Sequence, residues 1–325
     1  MGGAVRAVAA GADSVTMLVG GGRTPVARLL PGVDEVLEFA AGWVDFDPPP
    51  ISPAAVEAFV AVLRRGAYDR ALVFTSYHQS PLPLALLLRM AGVGWVGAVS
   101  EDYPGSLLDL RHRVPGSLHE AERALSLAEA AGYPADPDGA RLAVRHPLPD
   151  VTAHTGLGPY VVVHPGAAVP ARRPSPQTTR RIVRALAEAG HRVLVTGAAG
   201  ESALAQAAAA DQARDLSGRL DLPQLAGVLA GATAVVAPNT GPAHLAAAVG
   251  TPVVSLFAPV VDSANWAPYG VPRVELGDQA APCRGTRARL CPVPGHPCLD
   301  DIEETEVVAA VESLARRPVL TGDPL

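Results

Sequence analysis

The 325-residue chain contains no lysine, so every one of its 26 basic residues is an arginine. Any side-chain grip on phosphate must therefore come from a guanidinium or a hydroxyl, and a guanidinium brings a planar fork of donors that an ammonium lacks. No apolar run approaches the roughly 20 residues of a membrane span, which leaves room for no more than peripheral contact with a membrane. The opening Met1-Gly2-Gly3-Ala4-Val5-Arg6 has no long apolar core of the signal-peptide kind, and the expected compartment is cytoplasmic. Surplus positive charge is missing too, since acidic residues number 32 and the formal net charge is −6. Non-specific nucleic-acid binders neutralise phosphates with excess basic residues, so nucleic acid is not an expected partner. The three cysteines, Cys283, Cys291 and Cys298, lack the tight C-x₂-C clip of structural zinc sites. With His296 they could still complete a tetrahedral set; free thiols are the simpler reading, and a disulfide suits a reducing compartment less well.

What is present is a soluble-protein composition, 49% hydrophobic and 18% charged, in a chain long enough for two domains. Short β-branched runs alternate with longer Ala/Leu-rich stretches, the rhythm of parallel strands covered by helices. The first half offers strands at Val15 to Val19, Val33 to Leu37, Arg70 to Phe74 and Gly94 to Val99. Helices are expected at Pro53 to Arg65, Pro81 to Ala91 and Ser117 to Ala131, with an edge strand at Ala140 to Val144. Composition then turns to Pro, Gly, Asp and His, which sets a boundary between domains 1–150 and 151–325.

The second half repeats the rhythm, with strands at Tyr160 to His164, Arg192 to Thr196, Ala232 to Ala237 and Val253 to Phe257, and a short one ending at Asp215. Its helices are Pro176 to Ala189, Glu201 to Ala210, Leu222 to Ala230, Pro242 to Val249 and Glu304 to Ala315, the last able to pack back on the first domain. The class is α/β, two Rossmann-like doubly wound domains facing each other across a cleft. The first of them is expected to lack its first strand, because residues 4 to 10 read as a helix leading straight into Val15.

Three segments carry chemistry. Pro238-Asn239-Thr240-Gly241-Pro242-Ala243-His244 closes a strand and opens a helix, with Pro242 suited to the first turn and Gly241 to close backbone approach. Helix N-termini attract anions, and Thr240 and His244 add donors, although Asn239 or Thr240 could instead be a plain helix cap. His164-Pro165-Gly166-Ala167 closes another strand and leads to the adjacent Arg172 and Arg173, which suit a diphosphate. Thr196-Gly197 with Glu201, and Leu216-Ser217-Gly218, close two more. Glu201 could accept from ribose hydroxyls or cap the next helix.

As a set these segments resemble glycosyltransferase family 9, which includes the ADP-heptose:lipopolysaccharide heptosyltransferases. Thr251 to Phe257 and Trp266-Ala267-Pro268-Tyr269-Gly270 continue the likeness, and Tyr68 to Thr75 with Ser80 and His119 to Arg123 extend it more thinly into the first half. The resemblance implies the GT-B architecture and an inverting, metal-independent transfer of a sugar, heptose in the heptosyltransferases, from an ADP-sugar to a hydroxyl acceptor. That acceptor would be a glycan, a lipid-linked glycan or a small molecule, and no cofactor is implied. The donor residues so implied are Gly166, Ala167, Arg172, Arg173, Glu201, Ser217, Asn239, Thr240, Gly241 and His244.

The chain departs from the family pattern at three points. Asn239 stands where members often carry Asp, an arginine must serve where heptosyltransferases use Lys on the phosphate, and the Gly-Asp element that bears the family's catalytic base has no counterpart here. Inverting transfer needs a group to take the acceptor proton. The candidates are His78, Glu101, Asp102 and His119. Without a base the chain would be a catalytically impaired nucleotide-sugar-binding protein, and a GT-B-fold sugar-nucleotide epimerase is a further alternative.

Overall fold

A computed structural model describes residues 1–44, 48, 50–76, 79–114, 116–135 and 139–316. The chain divides into two compact units, Met1–Arg141 and Leu142–Leu325.

Unit 1 runs α1 (Gly2–Ala10), β1 (Thr16–Val19), α2 (Thr24–Arg28), β2 (Glu35–Glu38), α3 (Pro53–Gly66), β3 (Arg70–Val73), α4 (Leu82–Ala91), β4 (Trp95–Val99), β5 (Leu110–His112) and α5 (Glu120–Ala130). Its strands form two separate parallel groups, β1 with β2, and β3-β4-β5. Both rest on one core: Leu18 and Leu37 of the first group pack with Phe59, Val73, Leu88 and Val96. Helix α3 begins where the sequence suggests, with Ser52 accepting from the Ala55 N–H at 3.3 Å and Pro53 in the first turn.

The edge strand expected at Ala140 to Val144 does not form. The carbonyls of Gly139 and Arg141 are taken instead by the Arg6 guanidinium at 3.2 and 3.0 Å. Gly3 presses so closely on this segment that an added Cβ would sit 2.5 Å from the Gly139 oxygen. Side-chain capture of its carbonyls leaves the segment no ladder to join.

Unit 2 runs α6 (Thr152–Thr155), β6 (Val161–Val163), α7 (Pro176–Glu188), β7 (Val193–Val195), α8 (Ser202–Ala209), β8 (Arg214–Asp215), α9 (Leu222–Ala230), β9 (Ala234–Pro238), α10 (Gly241–Ala248), β10 (Val253–Leu256), α11 (Ser263–Trp266), β11 (Arg273–Leu276), α12 (Pro297–Asp300) and α13 (Glu304–Ala315). All pairings are parallel, in the order β11-β10-β9-β6-β7-β8. Counted within the unit this is the order 3-2-1-4-5-6 of a doubly wound dinucleotide fold. Both faces are covered. Val161, Val163, Ala234 and Val236 point to a core that also holds Ile182, Leu186, Val307 and Val311. Their neighbours Val162, Val235 and Ala237 point the other way, toward Val228, Leu229, Ala243 and Ala246. Burial on both sides is why β6 and β9 read as unbroken apolar runs. Helix α13 packs against α7 and against β9, β10 and β11.

Candidate functional site

In a doubly wound sheet ligands bind beyond the carboxyl ends of the strands, where the strand order reverses. That reversal in unit 2 falls between β6 and β9. The loops leaving these two strands are His164 to Arg173 and Asn239 to Thr240, so the two segments singled out by composition emerge side by side.

At the β9 end Thr240 is the N-cap residue of α10, but its side chain makes no cap bond. The Ala243 N–H folds back onto the Thr240 carbonyl at 3.1 Å, which withdraws one of the donors expected to face an anion. Asn239 is 5% exposed, and its Nδ2 has no hydrogen-bond partner. His244 is half-buried one turn into the helix, and Gly241 is exposed. Capping does not account for Asn239: a buried amide donor without a partner costs about 1–3 kcal/mol, which marks it as a group in need of another explanation.

At the β6 end Gly166 and Ala167 are buried. Gly166 lies under the Glu201 carboxylate, and a Cβ there would come within 2.1 Å of Glu201 Oε1. Glu201 Oε2 accepts from the Ala198 N–H at 2.9 Å and stands 3.9 Å from His164 Nε2, so it both caps the turn that precedes α8 and faces the histidine. His164 is 5% exposed, with Nδ1 3.1 Å from Thr196 Oγ1. Burial pushes its pKa down to about 4, against a smaller upward pull from Glu201. His164 is thus a neutral imidazole near pH 7, wedged between two strand ends.

Arg172 closes a short 3₁₀ turn, Pro170–Arg172, after β6. Its Nε is buried without a partner, and burial together with the charge of Arg287 holds its pKa below the usual guanidinium range. Arg173 is half-buried beside it. Ser217, after β8, is 8% exposed; its N–H donates to Asp215 Oδ1 at 2.8 Å while its Oγ has no partner. Three residues chosen from the sequence, Arg172, Ser217 and Asn239, therefore each present a buried polar atom without a partner at a strand's carboxyl end. Composition gave no sign of His164 packing on Thr196, nor of Arg287, which the loop between β11 and α12 delivers.

In unit 1, His78 lies outside the described residues. Glu101 and Asp102 are exposed in the loop after β4. The Glu101 carbonyl accepts from the Arg111 guanidinium. The Asp102 carboxylate accepts from the Ser80 hydroxyl at 3.1 Å, a bond between the loops after β3 and β4. His119 is the N-cap of α5, with Nδ1 accepting from the Ala121 N–H at 3.1 Å. Arg123, 9% exposed, donates from its guanidinium to the Thr75 carbonyl and fixes α5 to the end of β3.

The three cysteines are free thiols, Cys283 and Cys298 buried and Cys291 half-buried. Burial and the two neighbouring thiols push Cys298 up to about 12. Among the described residues no group of three or more His, Cys, Asp or Glu side chains is arranged to hold a metal ion, so the zinc set is not formed.

Residues 56–295 match the sequence model of glycosyltransferase family 9 (heptosyltransferase). The chain belongs to glycosyltransferase family 9. Among its relatives are lipopolysaccharide heptosyltransferase 3 of Escherichia coli, 29% identical over 171 residues, and lipopolysaccharide heptosyltransferase 1 of Pseudomonas aeruginosa, 36% identical over 157. These matches take in 50% and 43% of this chain and 48% and 44% of the relatives, so the chain spans about half the length of the curated relatives it matches. The fold is that of the solved E. coli ADP-heptose lipopolysaccharide heptosyltransferase II, with a TM-score of 0.73 and 20% identity over 97% of this chain and 93% of that one. The GT-B class expected from the sequence is thereby borne out, and no helix among the described residues is long and apolar enough to cross a membrane.

Proposed function

We propose that this family 9 chain is an inverting glycosyltransferase that takes a sugar, of the heptose type, from an ADP-sugar and places it on a hydroxyl of a glycan, lipid-linked or small-molecule acceptor. The observation that carries the reading is the trio of buried, unpartnered polar atoms on Arg172, Ser217 and Asn239. Two of the three flank the point where strand order reverses. A diphosphate supplies acceptor oxygens for all of them, and the N-terminus of α10 adds the positive end of its dipole. The related E. coli structure is an ADP-heptose enzyme, which favours adenine over uracil in the donor.

In an inverting displacement the anomeric carbon is attacked from the face opposite the departing diphosphate. Charge then grows on the leaving oxygen and falls on the attacking hydroxyl. Guanidinium groups and the helix dipole meet the first charge, which makes the reaction independent of a divalent ion. A carboxylate takes the acceptor proton, and we assign that role to Asp102. It is exposed, and the Ser80 hydroxyl orients it, whereas Nδ1 of His119 is committed to its helix. A cytoplasmic location is part of the same proposal.

Isothermal titration with ADP and with UDP tests the donor. ADP is expected to bind at least tenfold more tightly, and the affinity to persist in EDTA; if neither nucleotide binds, the reading falls.

A further inference from the structure

Between Asp278 and Asp300 the chain carries three arginines, Arg284, Arg287 and Arg289, and no carboxylate. Backbone bonds fix this stretch to the carboxyl end of the sheet. The Ala171 N–H donates to the Arg289 carbonyl at 3.0 Å, Gly285 to Pro259 at 2.8 Å, and Arg287 to Val260 at 2.9 Å. Ala171 follows β6, while Pro259 and Val260 follow β10. These two strands are the neighbours of β9. The arginine stretch is therefore anchored on both sides of the strand whose loop opens α10.

Arg287 is held there with φ at 56°, a conformation that glycine adopts without steric cost and arginine does not. Its charge acts on Arg172, whose Nε is buried and unpartnered. Among the described residues neither guanidinium forms an ion pair with a carboxylate. At the adjoining end of β9 the Asn239 amide, 5% exposed, also lacks a partner on Nδ2. Two like charges set close together with no counter-ion repel until an anion arrives, and a phosphate between them gains two charge-assisted contacts while relieving that repulsion.

We propose that Arg172 and Arg287 form a guanidinium clamp on the phosphates of a nucleoside diphosphate, with Arg287 a donor-binding residue supplied by the loop between β11 and α12. The clamp rests on the nucleotide-sugar reading above, and goes beyond it by assigning the second cation and the loop that carries it. It also explains why an arginine occupies a position where glycine would fit with less strain.

The test is titration of the full chain and of Arg287→Gly, Arg287→Gln and Arg287→Lys with ADP, with adenosine followed by ligand-observed NMR as the phosphate-free control. Arg287→Gly and Arg287→Gln are expected to weaken ADP at least tenfold, about 1.4 kcal/mol, and to leave adenosine within twofold. Arg287→Lys restores part of the loss, since it keeps the charge without the fork. Because glycine relieves the left-handed backbone, Arg287→Gly should melt at the same temperature as the parent or about 1–3 °C higher, which separates a lost contact from a lost fold. If Arg287→Gly and Arg287→Gln bind ADP within twofold of the parent, the clamp is wrong while the donor reading stands. The clamp is equally wrong if these variants lose affinity for inorganic phosphate but not for ADP, which would give the pair to a phosphorylated acceptor. If the unmodified chain binds no nucleotide, the donor reading itself fails.

Discussion

The buried imidazole of His164 makes the stability of the folded protein depend on pH. Its imidazole titrates at about 4 in the folded protein because it is buried, and near 6.5 once the chain unfolds. Between those values the unfolded chain binds a proton that the folded chain refuses. The folded pKa is the depressed one, so the stabilisation is fully present above about pH 6.5 and drains away as pH falls toward 4. The full separation is worth about 3 kcal/mol, and the portion lost between pH 7 and pH 5 is about 2 kcal/mol. Asn in place of His164 keeps a polar group near the Thr196 hydroxyl, 3.1 Å from Nδ1 in the parent, but removes the titration. Urea unfolding at steps from pH 7.5 to pH 5 measures the effect, with amide exchange of β6 assigning the transition to unit 2. The parent should lose about 2 kcal/mol more than His164→Asn across that range. Parallel pH profiles, within about 0.5 kcal/mol, would refute the assignment of a neutral buried imidazole. Glu201→Gln should lower the folded histidine's pKa further, so the loss still begins near pH 6.5 but continues to lower pH and grows in total, because the carboxylate at 3.9 Å is what pulls that pKa up.

Replacing Asn239 with Ala removes a buried donor that has no partner, so the melting temperature of the free protein should move by no more than about 2 °C while ADP affinity falls roughly tenfold; a destabilised variant with unchanged affinity would show the amide to be structural. Asp102→Asn should slow release of nucleoside diphosphate from the sugar donor by about 10² to 10⁴ with ADP binding within twofold, and turnover within threefold of the parent would move the base elsewhere. Iodoacetamide at pH 8 should label Cys291 first in the native protein. Cys298, pushed up to about 12, and the buried Cys283 should react only after unfolding, and early labelling of Cys298 on a peptide map would contradict the burial that raises it.

Elements buried on both faces were the most legible from sequence. The strands β6 and β9 are uninterrupted apolar runs closed by His-Pro-Gly and Pro-Asn-Thr-Gly, and their adjacency follows from one parallel-sheet topology. Two edge strands were not legible. The β11 segment Arg273–Leu276 and the β5 segment Leu110–His112 are short, polar and half-exposed, and their pairing is fixed by neighbours rather than by their own pattern. Ala140 to Val144 shows the converse, a run with strand-like residues in which Arg6 captures the carbonyl of Arg141 and that of the preceding Gly139. Helix α5 starts at Glu120, three residues later than the apolar pattern suggests, because His119 supplies the cap. In the candidate site, residues within a strand-end motif could be found by spacing. Arg287 could not, since its approach to Arg172 depends on a loop that joins distant parts of the chain. The one trace it left is the run of arginines without a carboxylate between Asp278 and Asp300.

Gly166 connects shape to charge in a way that motif language does not capture. The space where its side chain would be is filled by the Glu201 carboxylate, and that carboxylate is the one that faces His164. A single methyl group at 166 would evict the carboxylate and, with it, the negative charge that keeps the imidazole's pKa from falling further. Position 166 therefore works as a mechanical regulator of a proton: a change in volume at an uncharged residue, relayed by a carboxylate from the next strand's loop, is read out as a change in acidity two residues away.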